Sequence, residues 1–218
     1  MVTRRDAALG LASSLLVAAS AAPAAPADAA IRLPAPKQDG GMPLFQALRL
    51  RHSTRSYDPR ALSDETLSTL LWAAFGINRP ATGDRTAPYW RHVMVIDIYV
   101  ATANGVWLYD PRQHALLPRL AADIRADTGL QDFVATAPVN LVYVAHGERM
   151  QDVSPEERRL YASVDAGFIG QNVYLACASE GLGSVFRAAL DAQKLGRALG
   201  LGPDQFVTFA QTVGYAKG

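Results

Sequence analysis

The stretch from Pro155 to Glu180 constrains the fold of this chain more than any other. Its first turn is charged (Glu156, Glu157, Arg158, Arg159), and its second half is apolar almost all round. That pattern predicts one long helix over about 155–180, buried on most sides. Gly167 and Gly170 within it would let another helix approach closely. Cover on every side of such a helix, in so small a chain, implies a subunit partner or else a purely intrachain core. Gly181-Leu182-Gly183 closes the helix.

Around it the sequence alternates elements without strict order. Pro43 to Leu50 places Leu44, Phe45, Ala47 and Leu48 on one helical face, with Pro43 acceptable in the first turn. Ser63 caps a second helix whose Asp64 and Glu65 suit its first turn. Its Leu67, Leu70, Leu71 and Ala74 follow helical spacing, and Gly76 ends it. A loop is expected from Asn78 to Trp90. Val93–Val100 and Val106–Tyr109 read as strands joined by a hairpin turn at Thr102-Ala103-Asn104-Gly105. Val139–Val144 has strand length, and Ser184-Val185-Phe186 begins an extended run. Asp191–Leu199 is a short helix ended by Gly200, and Gln205–Tyr215 is a final strand. The mixture defines an α+β class, with no internal repeat.

The first 29 residues read as an export signal. Twelve of the first thirty residues are Ala, Arg4 and Arg5 precede an uncharged stretch from Ala7 to Ala27, and Ala27-Asp28-Ala29 offers a small-x-small cleavage site. Thr3-Arg4-Arg5-Asp6-Ala7-Ala8-Leu9 resembles a twin-arginine signal, with Ala7 where that motif usually has Phe. Pro23 and Pro26 and the weak apolarity argue against a stable membrane span. Residues 30–42, with Pro34, Pro36, Gly40 and Gly41, read as a flexible or extended lead-in, and 43–218 as one domain.

Few residues could carry chemistry. Lys+Arg at 21 against Asp+Glu at 20 leaves no basic excess for nucleic acid. Cys177, the single cysteine, reads as a small core residue, and one cysteine supports neither an internal disulfide nor a thiolate zinc site. His92, His114 and His146 are dispersed without metal-ligand spacing, so no metal is expected. Asp165 and Glu180 read as helix-end solvation or a subunit salt bridge. Arg51-His52-Ser53-Thr54-Arg55 is the strongest local feature: two guanidinium groups, an imidazole and two hydroxyls in five residues. Such a set suits a phosphomonoester, though a solvated basic turn at a helix C-terminus has the same composition.

Arg51 to Tyr57, followed by a Ser-capped helix, resembles the N-terminal flavin-binding segment of the nitroreductase family. Gly76-Ile77-Asn78-Arg79-Pro80 and Arg85-Thr86-Ala87-Pro88 resemble that family's SagB-type branch, as do Ile96–Val100, Gly105–Asp110 and Ala137–Tyr143. Asp165–Asn172 with Gly181–Val185 is similar to the central dimer helix and its following turn, and Thr212–Tyr215 to the last strand. The resemblance spans roughly residues 44 to 217. It implies a central, mainly antiparallel sheet flanked by helices, and a homodimer with FMN at the subunit interface. It also implies hydride transfer through flavin N5, by a ping-pong mechanism, between a donor and a small organic substrate. Carried over, Arg51, Ser53 and Arg55 would bind phosphate and ribityl groups, and His52 would add ring-edge or backbone contacts. Pro88 and Tyr89 would lie beside the isoalloxazine. Backbone N–H groups near Ala188 and Ala189 would face N5, and Lys217 would reach the phosphate. Tyr89 and Trp90 are bulkier than that branch's usual residues. They could stack on the flavin, or fill its pocket and leave an exported, non-catalytic binding protein.

Overall fold

The computed structural model describes residues 29–217. The signal segment with Arg4 and Arg5 lies outside the described residues. The core is a seven-stranded sheet of order β1-β6-β5-β4-β7-β9-β8, antiparallel at every pairing. Its strands are β1 (Ile31–Arg32), β4 (Ile96–Thr102), β5 (Gly105–Asp110), β6 (Ala115–Leu120), β7 (Val139–His146), β8 (Gly183–Arg187) and β9 (Gln205–Gly214). Among the described residues four α-helices accompany it: α1 (Leu44–Leu50), α2 (Asp64–Phe75), α3 (Pro155–Ser179) and α4 (Ala192–Ala198). The α+β class and the flanked antiparallel sheet are as the sequence predicts.

Alternation decides which helix covers which face. Side chains in a strand point to opposite faces in turn. Ile96, Ile98 and Val100 of β4, with Leu141 and Tyr143 of β7, pack with Leu70, Leu71, Ile169 and Val173 from α2 and α3. Tyr99 and Ala101, with Val142 and Val144, turn to the other face and meet Leu195 of α4. Strand β7 is therefore buried along its whole length, which explains its unbroken apolar sequence.

Helix α3 begins with a reciprocal cap. The Glu157 N–H donates to Ser154 Oγ, and the Ser154 N–H donates to the Glu157 carboxylate. Ser63 caps α2 through Thr66, and Gly76 follows its last turn. The β4–β5 turn falls at Ala103-Asn104, as predicted.

Some expectations need correcting, and others the structure makes more specific. Residues 78–90 are not a plain loop, because β2 (Ile77–Arg79) and β3 (Asp84–Arg85) pair as a small separate ribbon. The lead-in is extended and held: β1 pairs with β6, Leu33 is buried, and the Met42 N–H donates to Ser179 Oγ. On α1 only Ala47 is buried, while Leu44, Phe45 and Leu48 face outward, Phe45 being 84% exposed. Helix α3 is covered along one side only, and Leu160, Val164 and Phe168 remain exposed. Gly170 admits the Phe186 ring, not a helix, and Gly167 faces open space.

Candidate functional site

The basic cluster starts where α1 stops. Arg51 closes the helix with its N–H on the Ala47 carbonyl, then leaves the helical region at ψ 122°. The chain crosses to β8, where the Thr54 N–H donates to the Ser184 carbonyl at 2.8 Å and Ser53 bridges Ser184. A Cβ on Gly183 would stand 2.7 Å from Thr54 Cγ2, so this crossing needs glycine. The other flank is tied to the residues after β9: the Asp58 N–H donates to the Tyr215 carbonyl, and the Lys217 N–H to the Ser56 carbonyl at 3.1 Å. The Tyr57 hydroxyl donates to the Thr54 carbonyl, closing the segment on itself.

These ties bring the backbone of Arg51–Tyr57 beside β8 and Lys217. Arg51 lies over the Tyr174 ring, its guanidinium carbon 5.0 Å from the ring centroid. Tyr174 Oη accepts from the Phe186 N–H at 2.8 Å and meets Ser53 Oγ at 2.9 Å. His52 Nδ1 donates to the Leu50 carbonyl, leaving the other ring nitrogen outward. Among the described residues no carboxylate pairs with Arg51, Arg55 or Lys217. An open cavity of about 290 Å³ lies between Arg51–Thr54, Tyr174 and the Gly181–Ser184 turn. Cys177 lines its wall, and burial pushes its thiol up to about 12, so it is inert.

Ala188 and Ala189 belong to the same strand system. They follow β8 directly and are exposed. At about 3.3 Å per extended residue, Ala188 lies ~13 Å beyond Ser184. Arg187 fixes this strand end from below. It is buried, donates to the Thr128 carbonyl at 2.9 Å and to Asn140 Oδ1 at 3.2 Å, and burial brings its guanidinium down to about 10.

Pro88 and Tyr89 lie elsewhere in the chain. The Tyr89 hydroxyl donates to Asp84 at 2.5 Å, and its ring meets Phe75 edge-on. Trp90 rests on Tyr161, and its N–H donates to Asp165 at 3.0 Å. Tyr161 and Tyr174 sit on the same helix, about 20 Å apart at 1.5 Å per residue. One copy of the chain therefore does not bring Pro88 and Tyr89 beside the basic corner.

Asp165 corrects the helix-end reading. It is buried, and burial raises its carboxyl to about 6 while it still accepts from Trp90. Glu180 pairs with Lys37 of its own chain at 3.4 Å. Tyr174 is the site residue that sequence reasoning misses. Its signal is a hydroxyl in an apolar helical run, which demands a polar partner when packed.

An antiparallel sheet with a long central helix, and an unpaired basic corner between α1, β8 and the last strand, defines a class of small α+β proteins. The nitroreductase family model matches residues 48–215, and the chain belongs to that family. A crystal structure of a nitroreductase-class protein from Ralstonia eutropha is 45% identical, with a TM-score of 0.83 over 87% of this chain and 90% of that one. A Methanocaldococcus jannaschii relative, named as a nitroreductase, is 32% identical over 152 residues, 65% of this chain and 76% of its own. A Desulfovibrio desulfuricans nitroreductase-class structure, solved in complex with FMN, is 26% identical with a TM-score of 0.60, covering 82% of this chain and 89% of that one.

Proposed function

We propose that this chain is an FMN-dependent oxidoreductase of the SagB-type branch, acting as a homodimer on a small-molecule donor and a small organic acceptor in turn. The unpaired basic corner carries the reading. Arg51 lines an open cavity, Ser53, Arg55 and Lys217 flank its lining residues in the chain, and no carboxylate among the described residues pairs with the three cations, which suits a phosphomonoester. Family membership and the FMN-bound relative support it.

Bound FMN would supply two-electron chemistry at N5, which accounts for ping-pong exchange. The chain's own part is positional. Arg51 and Arg55 neutralise the phosphate, Ser53 is oriented by Tyr174, and Arg187 fixes the turn that presents the Ala188 and Ala189 backbone. No side-chain acid or base is required by this reading. Pro88 and Tyr89 would reach the flavin from a second copy, whose contact surface is the exposed apolar side of α1 and α3.

The non-catalytic alternative needs Tyr89 and Trp90 to fill the pocket. Within the chain both pack on Asp84, Phe75 and Tyr161, away from the open cavity. Export before residue 30, by the twin-arginine route that carries folded proteins, belongs to the same proposal. No helix among the described residues is long and apolar enough to cross a membrane.

The first test is the visible absorption spectrum of the purified protein and of the Arg51→Ala/Arg55→Ala variant. The expected result is about one flavin per subunit in the parent, and loss of at least ~90% in the variant with unchanged far-ultraviolet circular dichroism. Equal flavin content in both would remove the phosphate assignment.

A further inference from the structure

A second cavity lies apart from the basic corner. It encloses about 510 Å³ between the end of α2, β3, β4 and the β5–β6 turn. None of Arg51, Ser53, Arg55, Tyr174 or Lys217 lines it. Its walls are apolar where Phe75, Val93, Ile98 and Tyr109 meet, and cationic where Arg85, Arg112 and Arg149 meet. The volume falls in the range of small-molecule sites, which join an apolar body to a few placed polar groups.

Arg85 is the unusual member. It is 95% buried, yet its Nε and Nη1 have no hydrogen-bond partner. Its Nη2 reaches only the Met94 sulfur, at 2.8 Å, and its guanidinium carbon lies 5.5 Å from the Phe75 ring centroid. Among the described residues no carboxylate comes within salt-bridge distance of it. A buried cation without a counter-ion is destabilising unless something supplies the charge.

The acids nearby are already committed. Asp97 is held by His146 at 2.7 Å and by Arg149 at 3.3 Å. Asp110 Oδ1 accepts from the Arg112 and Gln113 N–H groups at 2.8 and 3.2 Å. Asp84 accepts from Tyr89 and Thr82 and pairs with Arg79 at 3.4 Å and His92 at 3.6 Å. The lining therefore holds three arginines against two aspartates, and neither aspartate forms a salt bridge with Arg85, although the Asp110 charge favours its guanidinium from a longer distance. Tyr109, whose hydroxyl donates to His114 Nδ1, supplies only its ring.

We propose that this cavity binds a small organic anion, an oxyanion on an apolar or aromatic body, with Arg85 as its charge anchor and Arg112 and Arg149 at the rim. The site shares no residue with the phosphate corner, but it adjoins Tyr89 through Phe75 and His92, so in the dimer proposed above it neighbours the segment that would reach the flavin. Carboxylates and phosphate esters present the same planar or tripod oxygens to a guanidinium, and the test separates them.

The test is calorimetric titration of the purified full chain with benzoate, phenyl phosphate, inorganic phosphate and benzyl alcohol. The expected result is saturable binding of benzoate or phenyl phosphate, with Kd of about 1 mM or tighter, and none of benzyl alcohol. Whichever aromatic anion binds more tightly identifies the head group. Arg85→Met should weaken it by about tenfold or more, and the exposed Arg112→Gln by about threefold. Unliganded Arg85→Met should melt at or above the parent's temperature, since it removes an uncompensated charge. Four results would each overturn the proposal: no saturation by either aromatic anion, equal affinity in Arg85→Met, inorganic phosphate binding as tightly as phenyl phosphate, or a lowered melting temperature without ligand. Should Arg85→Met not fold, the benzoate titration of the parent and of Arg112→Gln still decides, because the proposed phosphate corner would itself take the phosphates.

Discussion

Gly170 shows how closely single atoms are specified. A Cβ there would lie 2.5 Å from the Phe186 ring and 3.2 Å from Gln211 Oε1, while Gln211 Nε2 donates to the Gly170 carbonyl. Phe186 in turn stacks on Tyr143 at 5.7 Å, and its N–H meets Tyr174 Oη. Gly170→Ala should therefore cost about 1–3 kcal/mol, seen as a fall of several degrees in Tm. A neutral result would mean that the ring moves freely, and that the Tyr174–Ser53 contact is not held from behind. At this scale the sequence is legible where residue types cluster. Arg51 to Arg55 stands out because five adjacent polar groups have few other uses. Arg85, Asp165 and Tyr174 do not stand out, because each takes its meaning from burial by residues far along the chain.

Among the elements, those with strong periodicity or caps are legible, including α2, α3, β5 and β9. Strands β1 and β6 are not. A pair as short as Ile31–Arg32 carries no period, and Ala115–Leu120 contains Pro118, which weakens a strand reading although it pairs with Trp107. Strands β4 and β7 are joined at one end by charge. His146 donates to Asp97 at 2.7 Å and to Glu148 at 2.8 Å. Burial opposes both charges, but these hydrogen bonds outweigh it: His146 is raised above its ordinary 6.5, and Asp97 is held below 3.8. The histidine's contribution is complete below 6.5 and fades as pH rises through its raised folded value. Asp97 contributes above 3.8 and fades as pH falls through its lowered value. His146→Gln should cost about 1–3 kcal/mol near pH 6, and less near pH 9. A Tm difference that is flat across that range would show the imidazole to be neutral in the folded protein.

At the scale of the whole molecule, one surface is unfinished. Leu44, Phe45 and Leu48 of α1 lie exposed, as do Leu160, Val164 and Phe168 at four-residue intervals on α3. Such a side is covered in solution by a like surface when a protein is a symmetric dimer. Phe45→Glu with Phe168→Glu should raise the dimer dissociation constant by about thirtyfold or more in sedimentation velocity, and release flavin in parallel. An unchanged dimer would place the interface elsewhere. The all-round apolarity of α3 is legible in sequence, but which of its sides the chain itself covers is not, because that depends on residues far along the chain. The stitching of the basic corner carries a consequence for biosynthesis. Arg51–Tyr57 leaves the ribosome well before the strand that receives Thr54 and before Lys217, whose N–H donates to Ser56. Until then the cradle has no walls. A ligand held at this corner, as proposed above, would thus be captured only after β8 and Lys217 have been made and have docked on the segment.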